Sequence, residues 1–289
     1  MRNEREMLDL ILDTARGDGR IRAVVMNGSR ANPGAPRDFF QDFDVVYLVT
    51  DVASFTADHG WIDRFGERMI LQTPEAMGEA PSGNGGRFVY LMQFMDGNRI
   101  DLTLFPLARM ADLAEDSQSI LLLDKDGIVG PLPPPSDGDY LPKPPTEKRF
   151  AECCNEFFWV GPYVAKGLWR REIPYAKHML DHFVREKLME MLSWHVGVKT
   201  GFSKSPGKLG KYLDRYLEPE LWEMLLSTYS DADPENTWNA LFTACDLFRT
   251  LARPMAERFG FDYPRGDDER VCAHLRHVRS LPRDATAMY

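Results

Sequence analysis

Asp42 and Asp44 flank Phe43 and lead into the apolar run Val45-Val46-Tyr47-Leu48-Val49. On a strand, positions i and i+2 project from one face, roughly 7 Å apart along the chain. The two carboxylates therefore share a side, and Phe43 and Val45 take the other. Strands disfavour Asp, and neighbouring carboxylates repel one another. A hard divalent cation relieves that repulsion, and Mg²⁺ is typically held by one or two carboxylates together with substrate phosphates. Upstream, the apolar run Ile21 to Met26 ends in Asn27-Gly28-Ser29-Arg30. Glycine lets backbone approach a phosphate closely, and exposed N–H groups and the Ser29 hydroxyl can donate to it. A third acid, Asp101, opens another apolar run in Asn98-Arg99-Ile100-Asp101-Leu102-Thr103-Leu104. If that strand neighbours the Asp42 strand, three carboxylates converge on one site. Edge-strand charges beside a plain turn would explain an isolated acid pair. The Gly-Ser turn and Asp101 weigh against that explanation.

The elements that must position these residues follow from periodicity. Residues 3–16 place Met7, Leu8, Ile11 and Leu12 on one helical face, ended by Gly17 and Gly19. A strand at 21–26, the excursion with Pro33, Gly34 and Pro36, and the Asp42 strand come next. Residues 51–58 and 61–66 read as short helical turns, and 68–73 as a short strand. Pro81 to Gly86 is a Gly-rich connection; no helix follows it, so it is not a phosphate loop. Arg87–Phe94 and Arg99–Phe105, joined by Met95-Asp96-Gly97-Asn98, read as a hairpin. Residues 107–115 look helical and 120–123 form a strand. Seven prolines between Pro131 and Pro145 mark an extended linker. Beyond it the pattern is helical: 147–170, 173–197 with Pro174 in its first turn, 208–217, 220–229, 234–259 and 268–280. Asp233 suits the N-cap of the 234–259 helix, Pro234 its first position, and Pro254 is expected to kink or split it.

The expected architecture is α+β. A mixed sheet with helices spans 1–135, a Pro-rich linker 136–146, and an all-α bundle 147–289, with the active site between the two folded parts. The chain has 289 residues, 44% hydrophobic and 27% charged, as in ordinary globular proteins. It has no run long enough to span a membrane and no secretion pattern, which points to the cytoplasm. Cys153, Cys154, Cys245 and Cys272 lack zinc or C-x-x-C spacing and read as buried free thiols. The net charge of −9 disfavours nucleic acid as the partner and suits a cationic small substrate.

The pieces Gly28-Ser29, Asp42-Phe43-Asp44-Val45 and Ile100-Asp101-Leu102 resemble the nucleotidyltransferase superfamily typified by DNA polymerase beta. The stretch from Met26 to Met77 is similar, more closely, to the aminoglycoside 6-adenylyltransferases (streptomycin adenylyltransferases). The likeness continues through Tyr90 to Asp101, Met191 to His195 and Gly207-Lys208, over nearly the whole chain. The resemblance implies a polymerase beta-like catalytic sheet followed by a helical bundle. It implies transfer of AMP from ATP to a hydroxyl of an aminocyclitol antibiotic such as streptomycin, at the 6-position, with pyrophosphate released. In that reading Asp42 and Asp44 bind Mg²⁺, and Asp101 is general base or ligand to a second metal. Gly28, Ser29 and Arg30 hold the triphosphate, helped by Ser203, Lys204, Lys208 and Lys211 of the helical part.

Gly201 to Leu209 imitates a Walker A motif but spaces its glycines by five residues and ends in Leu209, so it is not one. His178, Asp181 and His182 share a helical face without the spacing of a zinc protease. Asp181 could instead meet a guanidinium or ammonium of the substrate. Tyr175, Trp169 and Trp194 could stack on a ligand, though aromatics at helical spacing more often form core. No acyl-transfer triad is evident. Two rival functions stand beside the main one. One is adenylylation of another acceptor: a lincosamide, a different aminoglycoside or a protein. The other is a degenerate nucleotide-binding regulator or toxin–antitoxin partner, which would have no need of the three acids.

Overall fold

In the computed structural model, residues 1–78, 86–112 and 116–289 are described. Residues 81–85 of the Gly-rich connection, and 113–115 at the end of the expected 107–115 helix, lie outside them. The chain divides into two compact units, Met1–Asp139 and Tyr140–Tyr289.

The first unit is built on a six-stranded mixed sheet. Helix α1 (Glu4–Gly17) is capped by Asn3, whose side chain accepts from the Glu6 amide while Glu6 accepts from the Asn3 amide. Strands β1 (Ile21–Asn27) and β2 (Phe43–Val49) follow, with a short helix α2 (Ala53–Thr56) after them. Then come β3 (Arg68–Gln72), β4 (Phe88–Phe94), β5 (Arg99–Pro106) and β6 (Ser119–Asp124). The order across the sheet is β3-β4-β5-β2-β1-β6. β2 and β5 run parallel, while the other four pairings are antiparallel.

Strand alternation sorts the side chains. Phe43, Val45, Tyr47 and Val49 join Ile100, Leu102 and Leu104 in one core, closed by Met7 and Ile11 of α1 and by Phe55, Ile62 and Phe65. The Tyr47 hydroxyl donates to the Ile11 carbonyl at 2.7 Å, which ties α1 to β2. The opposite face carries a smaller cluster of Ala23, Val25, Val46, Leu48 and Phe105. Along β2 and β5 that second face continues into Asp44 and Asp101, so apolar packing ends where the carboxylates begin.

The second unit is helical. α3 (Glu147–Arg170) is capped by Thr146, and α4 (Ile173–His178) carries Pro174 in its first turn. The expected 173–197 helix is not uniformly α. A π-helical segment, Met179–Val184, joins α4 to α5 (Arg185–Thr200). α6 (Pro219–Ser227), α7 (Pro234–Phe259) and α8 (Arg265–Ser280) complete the unit. Asp233 caps α7 as its residue type predicts, accepting from the amides of Glu235 and Asn236. Pro254 does not split α7 into two helices. It removes one backbone bond near the end, but buried Leu251, Ala252, Met255 and Ala256 hold the last turns against the core. Phe157 of α3 stacks on Phe248 of α7 with centroids 3.9 Å apart.

The expected helix over 208–217 does not form. Two short turns, Lys208–Gly210 and Leu213–Arg215, take its place. Gly207, Leu209 and Gly210 all have positive φ (76°, 55° and 78°), which a right-handed helix cannot pass through. All four cysteines are free and buried. Among the described residues, no helix is long and apolar enough to cross a membrane.

Candidate active site

The parallel pairing of β2 and β5 decides the geometry of the acids. Its register sets Phe43 opposite Ile100, Asp44 opposite Asp101 and Val45 opposite Leu102. On the other side of β2, Asn27 pairs with Asp44, so the end of β1 and the turn after it reach the same place. There Gly28 takes φ +73°, and a Cβ at that position would sit 2.4 Å from Asp44 Oδ2. Only glycine allows the turn and the carboxylate to lie so close. Gln41 Nε2 donates to the Ser29 carbonyl at 3.2 Å and ties the loop ahead of Asp42 back to the turn. Gly28, Ser29, Asp42, Asp44 and Asp101 are thus brought to one edge of the second sheet face.

Arg99 sits among these acids. Its Nε and Nη2 donate to the two oxygens of Asp101, each at 2.7 Å, and its Nη1 lies 3.7 Å from Asp42 Oδ2. Arg99 and Asp101 stand two residues apart on one strand, so they share a face. Hydrogen bonding to Asp101, with the charges of Asp101, Asp42 and Asp44, outweighs burial and raises the pKa of Arg99. Burial pushes the Asp42 carboxyl above its ordinary range. Arg99 and Arg30 oppose the rise, and Asp101 adds to it.

The structure turns Arg30 inward. That side chain is 7% exposed. Nε donates to the Asp42 carbonyl at 3.0 Å and Nη2 to the Gln41 carbonyl at 2.7 Å. Nη1 lies 3.3 Å from Glu4, and the guanidinium stacks 3.8 Å from the Phe43 ring centroid. These bonds to the backbone ahead of β2 let Arg30 help to position Asp42. The Gly28 amide is likewise committed, donating to the Gln118 carbonyl at 2.9 Å.

The remaining candidates belong to the second unit. Lys204, Lys208 and Lys211 are exposed. Ser203 Oγ donates to the Thr200 carbonyl at 2.6 Å, and the Lys211 ammonium lies 5.0 Å from the Tyr212 ring centroid. Asp181 lies in the π-helical segment with an oxygen on each of two cations, 3.1 Å from Lys177 and 3.0 Å from Arg185. Recognition of a cationic ligand by Asp181 would require exchanging one of them. Tyr175 packs on Gly167, where a Cβ would lie 2.9 Å from its Cδ1. Among the described residues, no three His, Cys, Asp or Glu side chains form a ready cation cluster. The donor set is nonetheless chemically right for a hard divalent ion: oxygens only, from carboxylates on and just ahead of neighbouring strands.

Sequence reasoning missed Arg99 as a participant, although its place two residues before Asp101 on one strand was a usable signal. It also missed the inward turn of Arg30, which no local pattern announces.

A mixed sheet whose parallel pair β2–β5 sets Asp44 and Asp101 side by side, next to the Gly28-Ser29 turn, is the arrangement expected of a nucleotidyltransferase. The sequence profile of the streptomycin adenylyltransferase family matches residues 1–278. The chain is 42% identical over 270 residues to an aminoglycoside 6-adenylyltransferase of Bacillus subtilis (strain 168), covering 93% of this chain and 95% of that one. It is 43% identical to an aminoglycoside 6-adenylyltransferase of Campylobacter jejuni, covering 93% of each, and 35% identical to one of Staphylococcus aureus, covering 91% and 94%. A crystal structure of an aminoglycoside 6-adenyltransferase from Bacillus subtilis aligns over 97% of this chain and 100% of that chain, at 38% identity and a TM-score of 0.48. The chain belongs to the streptomycin adenylyltransferase family.

Proposed function

We propose that the protein transfers AMP from ATP to a hydroxyl of an aminoglycoside, with streptomycin and its 6-position as the foremost acceptor. The observation that carries this reading is the register of β2 on β5, which lays Asp44 beside Asp101 at the Gly28-Ser29 turn. The names of the relatives supply the acceptor class. The acceptor oxygen attacks the α-phosphorus, the bond to the bridging oxygen breaks, and pyrophosphate departs. The proton of the hydroxyl goes to a carboxylate, for which Asp101 is the candidate. Asp101 would otherwise serve as ligand to a second metal.

Asp42, Asp44 and Asp101 are the residues that would hold Mg²⁺. Bound there, the ion would supply positive charge that stabilises the phosphates of the transition state. The Ser29 hydroxyl donates to the triphosphate. Ser203, Lys204, Lys208 and Lys211 offset the charge that develops on pyrophosphate. Asp181 and Tyr175 are the candidates for contact with the cationic acceptor. A protein of this composition, working on a small cation and ATP, is placed in the cytoplasm.

The test is acceptor-dependent release of pyrophosphate from ATP across a panel of streptomycin, other aminoglycosides, a lincosamide and a hydroxyl-bearing protein. Release with streptomycin above all others supports the reading. Release with another acceptor alone replaces streptomycin, and ATP binding without release to any acceptor favours a regulatory nucleotide-binding protein.

Two variants probe the separate parts. Lys208→Ala is expected to lower kcat, and kcat/KM for ATP with it, about tenfold, the loss of one charge-assisted contact made as pyrophosphate leaves. Unaltered ATP kinetics would make Lys208 structural. Gly28→Ala forces a side chain into left-handed backbone, which costs about 1–2 kcal/mol, and drives its Cβ into Asp44. A drop of a few degrees in Tm is expected, with a much larger proportional fall in kcat as Asp44 is displaced. Equal kcat in Gly28→Ala and wild type would break the link between the turn and Asp44.

A further inference from the structure

Arg99 presents a charge problem that the fold does not require. Its pair with Asp101 runs along one strand, not across the sheet, and its side chain is 40% exposed against 20% for Asp101. Ion pairs this open contribute little to folding, so stability does not explain a guanidinium fork closed on that carboxylate. What the fork does is occupy the acids. Both oxygens of Asp101 accept from Arg99, and Asp42 lies 3.7 Å from the third nitrogen. Asp44, opposite Asp101 in the register, lies within the field of the same cation. The groups facing Arg99 from the next strand are neutral: Gln93 pairs with Arg99, and Leu91 with Asp101. Arg99 is thus set directly against Asp101 and Asp42, and Arg30 adds a second positive charge near Asp42.

We propose that Arg99 is an internal counter-ion that holds the carboxylate site in the metal-free protein and releases Asp101 and Asp42 when a divalent cation binds. This rests on the reading of Asp42, Asp44 and Asp101 as the cation-holding set. While the fork is closed, each oxygen of Asp101 has one lone pair taken by Arg99, and a guanidinium stands where it would repel a cation lying against Asp44. Opening it costs the bidentate pair, and the cation repays that cost with two charges in place of one. The exchange offsets the mutual repulsion of Asp42 and Asp101 in the empty enzyme. It also sets a threshold on metal binding. No bond is made or broken in the protein, and no proton needs to move.

The experiment is a titration of nucleotide-free protein with Mn²⁺, followed by the paramagnetic resonance signal of the free ion. It is run on wild type, Arg99→Gln, Arg99→Lys and Asp44→Asn, with melting curves in EDTA and in Mn²⁺. Arg99→Gln is expected to bind Mn²⁺ about tenfold more tightly than wild type, the effect of no longer breaking one charge-assisted pair. Its Tm in EDTA should stay close to that of wild type, and Mn²⁺ should raise it further than it raises wild type. Arg99→Lys keeps a charge without the fork and should fall between the two in affinity. Equal or weaker Mn²⁺ binding by Arg99→Gln, with wild-type binding intact and lost in Asp44→Asn, would overturn the counter-ion role alone. No Mn²⁺ binding by wild type or Arg99→Gln would overturn the carboxylate reading beneath it.

Discussion

Asp44→Asn is expected to reduce adenylyl transfer at least about a thousandfold while leaving the melting temperature close to that of wild type. A thousandfold in rate corresponds to about 4 kcal/mol of lost transition-state stabilisation, the scale on which a bound metal ion acts on a transferring phosphoryl group. Three features put the effect at Asp44. It faces Asp101 across the parallel pair, it lies against the Gly28 turn, and it stands on the polar end of a sheet face whose core ends at Val46. The amide replacement is isosteric and keeps the packing around Phe43 and Val45. Steady-state kinetics with saturating ATP and acceptor, beside a melting curve, separate the two effects. Turnover within tenfold of wild type would remove Asp44 from the site. A large fall in Tm would show instead that its role is structural.

The largest stability effect is expected far from the acids, at Asp268 in the helical unit. Its side chain is 1% exposed, and Arg249 donates to both oxygens at 2.6 and 2.7 Å. The Tyr263 hydroxyl adds a bond of 2.8 Å, and Cys272 lies 3.3 Å away. Burial pushes the Asp268 carboxyl upward, but the bonds from Arg249, Tyr263 and Cys272 outweigh it and hold the carboxyl below its ordinary range. Removing the carboxylate strands the Tyr263 hydroxyl and leaves Arg249 paired with Asp246, and Asp268→Ala should destabilise the unit by about 3 kcal/mol. The pH dependence follows from the lowered value. Stability from this group is fully present above the unfolded-state pKa of about 3.9 and disappears as pH falls through the folded value. Urea unfolding at neutral pH should show the full gap between wild type and Asp268→Ala, and the gap should close in acid. A gap that stays constant down to low pH would place the loss in packing, not in the ion pair.

Much of the architecture could be read from local pattern because local pattern carries it. The α1 stripe of Met7 and Ile11, the hairpin around Gly97 and the Asp233-Pro234 start of α7 each follow from a few neighbouring residues. The acids were legible for the same reason: Asp in a strand-forming run is out of place unless something uses it. What periodicity cannot supply is which strand lies next to which. The β2–β5 pairing joins residues far apart in sequence, and the convergence of Asp44 on Asp101 could only be stated conditionally beforehand. Long-range commitments of single side chains were hidden too. Arg30 looked like a phosphate contact beside Gly28-Ser29, yet its donors serve the carbonyls of Gln41 and Asp42. The π-helical stretch at Met179–Val184 has the same apolar spacing as the helix around it. The failure of 208–217 to form a helix turns on Leu209 at positive φ, a conformation its residue type argues against.

The most direct measurement of the central claim is mass spectrometry of streptomycin after incubation with the protein, ATP and Mg²⁺, alongside an identical reaction in EDTA and one with Asp44→Asn. A gain of one adenylyl group is expected with wild type and Mg²⁺, and none in either control. Unmodified streptomycin in all three reactions, or adenylylation that persists in EDTA or with Asp44→Asn, would contradict it.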